Sequence, residues 1–215
     1  MRIPFTIEQF FEVFVKYNSA VWPMQIVFYF LAAIVIAVLF VKNSFFLKGI
    51  AGILSIFWLW MGIVYHFVFF SSINPASKIF GLLFIMQGVV LALVTFRKIP
   101  ESGLSKTSIQ SILGFTLMFF ALIVYPILTH LTGHSYPGMP TLGLPCPTTI
   151  FTIGVLLIAF PSGYQFLAII PLLWSVVGST AAFKLGVIAD FGLIAAAICT
   201  VPLFLHKRNF GKVEA

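Results

Sequence analysis

Charge is the scarcest property of this sequence. Its 215 residues include 12 Lys or Arg and 5 Asp or Glu, so charged side chains make up 8% of the chain, against roughly 25% in an ordinary soluble domain. Hydrophobic residues make up 61%, with 26 Phe among them, which exceeds what one core of this size can bury. The composition therefore predicts an integral membrane protein. In lipid, backbone N–H and C=O groups must form hydrogen bonds with each other, as they do within an α-helix. We therefore expect an all-α polytopic fold.

Other absences exclude several functional classes. The two cysteines, Cys146 and Cys199, give neither a disulfide framework nor a zinc-finger spacing. The cations stand in ones, twos and threes between apolar runs, so no nucleic-acid partner is expected. GxSxG, HExxH, Walker and Rossmann motifs are absent, and the last apolar run has no lysine for a retinal Schiff base. Residues 1–18 carry Glu8, Glu12 and Lys16 and do not predict a cleavable signal peptide.

Uncharged runs of the length of a bilayer crossing dominate the chain. A hydrocarbon core of about 30 Å needs about 20 helical residues, and on that measure the sequence predicts seven transmembrane helices: Trp22–Val41, Gly49–Phe70, Ile79–Phe96, Ile109–Leu131, Pro147–Phe160, Tyr164–Phe183 and Gly186–Leu205. The fifth is short, with about 13 apolar positions, roughly 20 Å. The alternative is therefore six helices and a re-entrant half-helix.

The distribution of Lys and Arg favours seven crossings. With seven, the side of the N-terminus holds four cations and the other side holds eight: Arg2, Lys16, Lys78 and Lys184 against Lys42, Lys48, Arg97, Lys98, Lys106, Lys207, Arg208 and Lys212. With a re-entrant fifth segment the division is six against six. The positive-inside rule then predicts a protein of the cell (inner) membrane with its N-terminus outside and its C-terminus in the cytoplasm.

The first 21 residues predict an amphipathic helix at the membrane surface. Apolar residues recur at helical spacing, opposite a polar side that contains Glu8, Glu12 and Lys16: Ile7, Phe10, Phe11, Phe14 and Val15. Thr6 is the expected N-cap, and Trp22-Pro23 marks the start of the bundle. The predicted organisation is residues 1–21 as an interfacial helix, 22–205 as the transmembrane bundle and 206–215 as a basic cytoplasmic tail.

A few polar residues fall at one level of this predicted topology. Asp190 is the single carboxylate within a predicted span. It is either an acid near the interface that is protonated or paired with Lys184, or a proton or cation site that faces the bundle interior. The same outer layer receives His66, His130, His134 and Cys146. His130 and His134 have the i, i+4 spacing of a metal site that His66, Cys146 or Asp190 would complete, although Gly133 can end the helix between them. Haem ligation by His66 and His130 is a further alternative.

The segment from 133 to 152 is the least lipid-like long stretch. Its prolines and glycines impose an irregular backbone, which survives at membrane depth only where protein or a water-filled cavity satisfies it. Proline at the start of the fifth helix is expected to leave backbone N–H groups near Thr148 and Thr149 free, at the positive end of the helix dipole. We therefore expect an outer vestibule here, with Tyr136, Thr148, Thr149, His66, His130 and Asp190 as candidates for a substrate or ion pathway.

Two functions follow from these residues. The first is a small permease or channel-like transporter for a small solute or cation, with its vestibule around residues 133–152. The second is a metal-binding membrane enzyme or sensor that uses the His/Cys/Asp group, with a divalent metal as cofactor. An enzyme is expected only in the second case. The expected partners are lipid and a small solute or ion.

Two stretches carry a family resemblance. The opening TIEQFFEVFVKYNSAVWP and the central GHSYPGMPTLGLPCPTTIFTIG resemble a bacterial family of multi-pass membrane proteins of unknown function. The resemblance extends from Thr6 through the last helix. It implies a membrane bundle and assigns no activity to any residue.

Overall fold

The computed structural model describes residues 4–41, 43–99, 109–160 and 163–210, with side chains to residue 203. The described chain is helical, and its only β-type pairing is an isolated bridge between Leu142 and Leu144. Its α-helices are α1 Ile7–Ala20, α2 Met24–Val38, α3 Ser44–Trp60, α4 Ser77–Thr95, α5 Ile109–Phe119, α6 Tyr125–Leu131, α7 Pro145–Ala159, α8 Ile169–Gly178, α9 Thr180–Leu185 and α10 Phe191–Phe210. Arg2, Lys42, Lys106, Lys212, the Pro161-Ser162 break and the tail beyond residue 210 lie outside the described residues.

The helices run alternately between two ends of a bundle. At one end, the hydroxyl of Ser77, in the first turn of α4, donates to the carbonyl oxygen of His66. At the other end, the carbonyl oxygen of Lys98, just beyond α4, accepts a hydrogen bond from Tyr164, which lies beside Phe160 at the end of α7. The helices α4 and α7 therefore run between the same two ends. We call the end with Ser77 the Ser77 end.

Helix α1 lies across the Ser77 end. It is bent by 84° relative to α2, and Thr6 caps it by accepting the Gln9 N–H while Gln9 Oε1 accepts the Thr6 N–H. Its apolar face is buried in a small cluster: Phe10, Val13, Phe14 and Tyr17 with Tyr65, Phe70, Leu144, Leu185 and Val187. The predicted amphipathic helix is present, and its apolar side packs on protein.

Helix α7 is the centre of the bundle. Of its 15 residues, 13 are buried, including Pro145 and Ala159 at its two ends. Glycine allows close contact with α5, since a Cβ on Gly154 would lie 2.6 Å from the carbonyl oxygen of Gly114. Neighbouring helices therefore cover α7 on nearly all sides.

Two π-helical segments interrupt the long helices. Met61–Phe69 continues α3, and Phe120–Val124 lies between α5 and α6. The second precedes Pro126, which has no N–H to offer the Leu122 carbonyl and clashes with it in a regular α-helix. The Tyr29 hydroxyl of α2 donates to that carbonyl instead, at 3.4 Å. Such segments are frequent at functional sites.

Judged by length and apolar composition, fewer helices qualify as membrane spans than the seven that the sequence predicts. Among the described residues, four helical segments are long and apolar enough to cross a membrane: Ser44–Ser72, Ser77–Thr95, Ile109–Leu131 and Gln165–Leu185. A fifth is obtained if the bent pair α1 and α2 forms one span. Helix α7 and the stretch Ile188–Leu203 are apolar but shorter, and the second is bounded by the last described side chain.

Candidate functional site

A cavity of about 450 Å³ lies at the Ser77 end, partly enclosed by the chain. Three chain reversals and α1 contribute its walls: the turn from α3 to α4 with Phe70 and Asn74, the loop into α7 with Pro140, and the turn from α9 to α10 with Lys184. Its volume is in the range of small-molecule sites.

Aromatic side chains form much of the cavity wall. Helix α1 contributes Phe10 and Phe14, and the two π-helical interruptions each bring in a tyrosine, Tyr65 within the first and Tyr125 directly after the second. Trp174 of α8 completes the set and packs edge to face on Phe80 at 5.4 Å. An apolar, aromatic wall with a few polar groups is typical of a ligand site.

Among the residues that the structure describes, Asp190 is the one carboxylate that lines this cavity. Its residue is 1% exposed, and its Oδ1 accepts a hydrogen bond of 2.5 Å from the Tyr125 hydroxyl. Its Oδ2 has no hydrogen-bond partner among the described side chains and backbone, and the same is true of Trp174 Nε1. The half-buried Cys146 thiol lies beside both side chains. A buried acceptor and a buried donor are therefore available to a bound molecule.

The start of α7 does not present the free backbone N–H groups that the sequence predicted. The helix begins at Pro145 and includes Pro147, so that only Cys146 among its first three residues has a backbone N–H. The next N–H, of Thr148, donates to the carbonyl oxygen of Leu144. The expectation is wrong because the helix starts two residues earlier than predicted and two of its first donors are proline.

The irregular stretch before α7 is held by polar side chains of α1. Tyr17 donates to the Gly143 carbonyl oxygen at 2.9 Å and accepts from Trp60 Nε1 at 2.8 Å. The Asn18 side-chain amide donates to the carbonyl oxygens of Pro137 and Met139, at 2.7 and 2.9 Å. Protein groups thus satisfy backbone that lipid could not.

Three candidates in this stretch have different surroundings. The Thr148 hydroxyl accepts the Gly143 N–H at 2.9 Å and is fully buried, so that it braces the loop. The Thr149 hydroxyl is buried with no partner among the described groups. Tyr136 is 44% exposed and donates to the Asn18 carbonyl oxygen at 3.3 Å. None of the three lines the cavity.

His66 lies one ring contact away from the cavity. It is fully buried, its Nδ1 is 3.2 Å from Ser77 Oγ, and its ring centroid is 5.3 Å from that of Trp174. Its Nε2 has no partner among the described residues. His66 therefore does not line the cavity itself and instead packs against Trp174, which does.

The other two histidines are separate from this group. Helix α6 ends at Leu131, and Gly133 has a φ of 95°, so the spacing of His130 and His134 does not place them on one helix face. His130 is exposed beside Ser135, whereas His134 stacks on Phe11 of α1 at 3.5 Å. In the described parts of the chain, no three His, Cys, Asp or Glu side chains form a group that could hold a metal ion.

Several residues of the site were not predicted from the sequence. Tyr65, Tyr125 and Trp174 are aromatic residues in apolar runs, and nothing in their local pattern separates them from lipid-facing ones. Asn18 and Tyr17 had a signal, since a polar and an amphipathic side chain at the end of a short helix need a partner when buried.

Comparison with known proteins gives a family. The sequence model of one family matches residues 7–215, and its description is "Family of unknown function (DUF6064)". The resemblance found in the two sequence stretches is therefore confirmed. No curated protein matches the chain, and no solved structure matches it.

Proposed function

This chain belongs to DUF6064, a family of unknown function, and we propose that it is a permease-like membrane protein that takes a small solute into the cavity at the Ser77 end. The observation that carries the proposal is the cavity itself. Its wall is apolar and aromatic, and two buried polar atoms of its lining residues, Asp190 Oδ2 and Trp174 Nε1, have no partner by hydrogen-bond geometry among the described groups, with only the Cys146 thiol beside them. Buried polar atoms are normally paired, and a bound solute would pair them.

The proposed topology has seven crossings, the N-terminus outside and the C-terminus in the cytoplasm of a bacterial inner membrane. The course of α7 supports it. That helix runs from Cys146, at the cavity, to Phe160, beside Tyr164 at the opposite end of the bundle. A re-entrant segment would return to the end where it began. The vestibule then opens to the outside.

The two native cysteines allow a direct test. Cys146 lines the cavity, whereas Cys199 is exposed on the outer face of α10. In proteoliposomes of a Cys199→Ser variant at alkaline pH, where more of the thiol is thiolate, a membrane-impermeant cationic methanethiosulfonate is expected to modify Cys146 from the outer side. It is expected to do so from the inner side more slowly, as the cavity changes its exposure. The matched control is Cys146→Ser, in which Cys199 faces lipid and stays unmodified.

The possible results separate two functions. Labelling from both sides supports a permease. Labelling from one side only contradicts transport and leaves a one-sided binding site. Absence of labelling from either side, with full labelling after unfolding, contradicts a solute-accessible cavity altogether.

A further inference from the structure

We propose that the solute is a small organic cation, whose ammonium group contacts Asp190 and whose apolar body fills the aromatic part of the cavity. This inference rests on the proposed function and names its substrate class. The combination that points to a cation is a deeply buried carboxylate at the wall of a cavity lined by aromatic rings, with one oxygen that has no partner by hydrogen-bond geometry among the described groups and lies beside the Cys146 thiol.

The Asp190 carboxyl group determines the sign of the ligand's charge. Asp190 is 1% exposed, and its Oδ1 already accepts from Tyr125. A charge taken out of water is costly unless an opposite charge and hydrogen bonds compensate it. An ammonium N–H donated to Oδ2, which has only the Cys146 thiol beside it, supplies both.

The aromatic walls favour the same class. The faces of aromatic rings carry negative potential, and a cation within about 6 Å of a ring centroid is attracted to it. Tyr65 and Tyr125 line the cavity together with Asp190 and Trp174. Rings of this kind also contact the apolar body of the ligand, so one wall serves both parts of an amphipathic cation.

The cavity offers fewer favourable contacts to an anion than to a cation. A helix N-terminus binds anions through free backbone N–H groups, and Pro145 and Pro147 remove two of the first three from α7. Lys184 also lines the cavity but is exposed, so water and salt screen its charge. The buried ionisable group of the cavity is an acid, and the basic one is exposed.

The volume limits the size of the ligand. At about 450 Å³, the cavity has room for a single aromatic ring with a short amine chain. Phenethylammonium is a suitable probe, because 2-phenylethanol keeps its ring and its hydrogen-bond donor without the charge, and 3-phenylpropionate reverses the charge.

Calorimetric titration of the purified full chain in detergent tests the class. We expect phenethylammonium to bind at least about 10-fold more tightly than 2-phenylethanol, because hydrogen bonds to charged groups are the stronger ones. We expect no measurable binding of 3-phenylpropionate. Equal or tighter binding of the neutral or the anionic probe overturns the inference and leaves the cavity as a solute site. Absence of binding by all three probes also overturns it, while the labelling of Cys146 judges the proposed function separately.

A substitution tests the residue. Asp190→Asn keeps the shape and removes the charge, and we expect it to weaken phenethylammonium binding about 10- to 100-fold while 2-phenylethanol changes less than about 2-fold. The matched control is Glu12→Gln, an acid on the exposed side of α1 that pairs with Lys16, and it is expected to change neither affinity. Unchanged phenethylammonium binding in Asp190→Asn contradicts the assignment.

A measurement on the unaltered cavity keeps the inference testable if Asp190→Asn does not fold. Phenethylammonium is expected to slow the modification of Cys146 in the Cys199→Ser protein, since the bound cation and the Cys146 thiol would both lie beside Asp190. Equal slowing by 3-phenylpropionate at the same concentration contradicts a cation site.

Discussion

A single glycine shows how closely the site is built at the residue scale. Gly143 has a φ of 97°, and a Cβ at this position would overlap the ring of the buried Phe28. Its backbone also has two tasks, since its carbonyl oxygen accepts from Tyr17 and its N–H donates to Thr148. Both its conformation and its close contact therefore require glycine.

Gly143→Ala is expected to destabilise the protein by about 2–5 kcal/mol, the sum of backbone strain and overpacking. Gly133→Ala is the matched control, because Gly133 also has a positive φ, 95°, but no atom within 4 Å of the added methyl group. It should show the strain alone, about 1–2 kcal/mol. The two free energies of unfolding are compared by denaturant titration in the same detergent. Equal losses would show that contact with Phe28 does not matter.

At the scale of the element, α7 organises the molecule. Its amino end forms part of the cavity and its middle lies against α5, where Gly114 and Gly154 bring two backbones together. Inside a membrane the hydrophobic effect contributes little to the association of helices. Small residues at such a crossing allow close van der Waals contact, which stabilises the helix pair instead. The position of Cys146 in the cavity thus depends on a crossing farther along the same helix.

Gly154→Ala is expected to destabilise the bundle by about 1–3 kcal/mol, since its methyl group would lie 2.6 Å from the Gly114 carbonyl oxygen. Gly49→Ala in α3 is the control. No atom lies within 4 Å of its methyl group, and alanine in a helix is better than glycine by up to about 1 kcal/mol. Opposite shifts of the thermal unfolding midpoint are the expected outcome. A stable Gly154→Ala protein would mean that α5 and α7 separate without cost.

Much at this scale could be predicted from the sequence, because apolar runs and helix caps are local signals. The amphipathic α1 and the bounds of α4, for example, agree with the predicted runs within a few residues. The cavity could not be predicted, since it depends on which helices meet. Of the two π-helical segments, only the one before Pro126 has a sequence signal.

At the scale of the whole molecule, apolar side chains cover the outside of the bundle and polar groups are buried within it. Phe30, Phe40 and Phe96 are each more than 60% exposed, whereas Asn18, His66 and Asp190 are nearly or fully buried at the Ser77 end. An apolar exterior around buried polar groups is the arrangement expected of a protein surrounded by lipid.

The two chain ends should lie on opposite sides of the membrane. A fluorescent protein fused after Ala215 is expected to fluoresce in the cytoplasm of a bacterial host, and alkaline phosphatase at the same point to be inactive. Ile7→Cys, in a protein with Cys146→Ser and Cys199→Ser, should react with an impermeant maleimide from outside. The positive-inside rule gives this orientation. Both ends on one side would favour six crossings with a re-entrant segment.

The π-helical segments have a consequence for how the chain tolerates changes in length. Each hydrogen-bonded ring of a π-helix contains one residue more than that of an α-helix, and one residue in an α-helix corresponds to about 100° of rotation. Loss of one residue from Met61–Phe69 would let the helix close as a regular one. The residues beyond the deletion would keep their present faces, because the wider ring had held the extra residue within the same turn. A deletion in the regular part of α3 has no such reserve, and it would turn everything after it by about 100°, carrying Tyr65 away from its present neighbours. In this protein the register of a helix interior, and not only its loops, determines what the cavity presents.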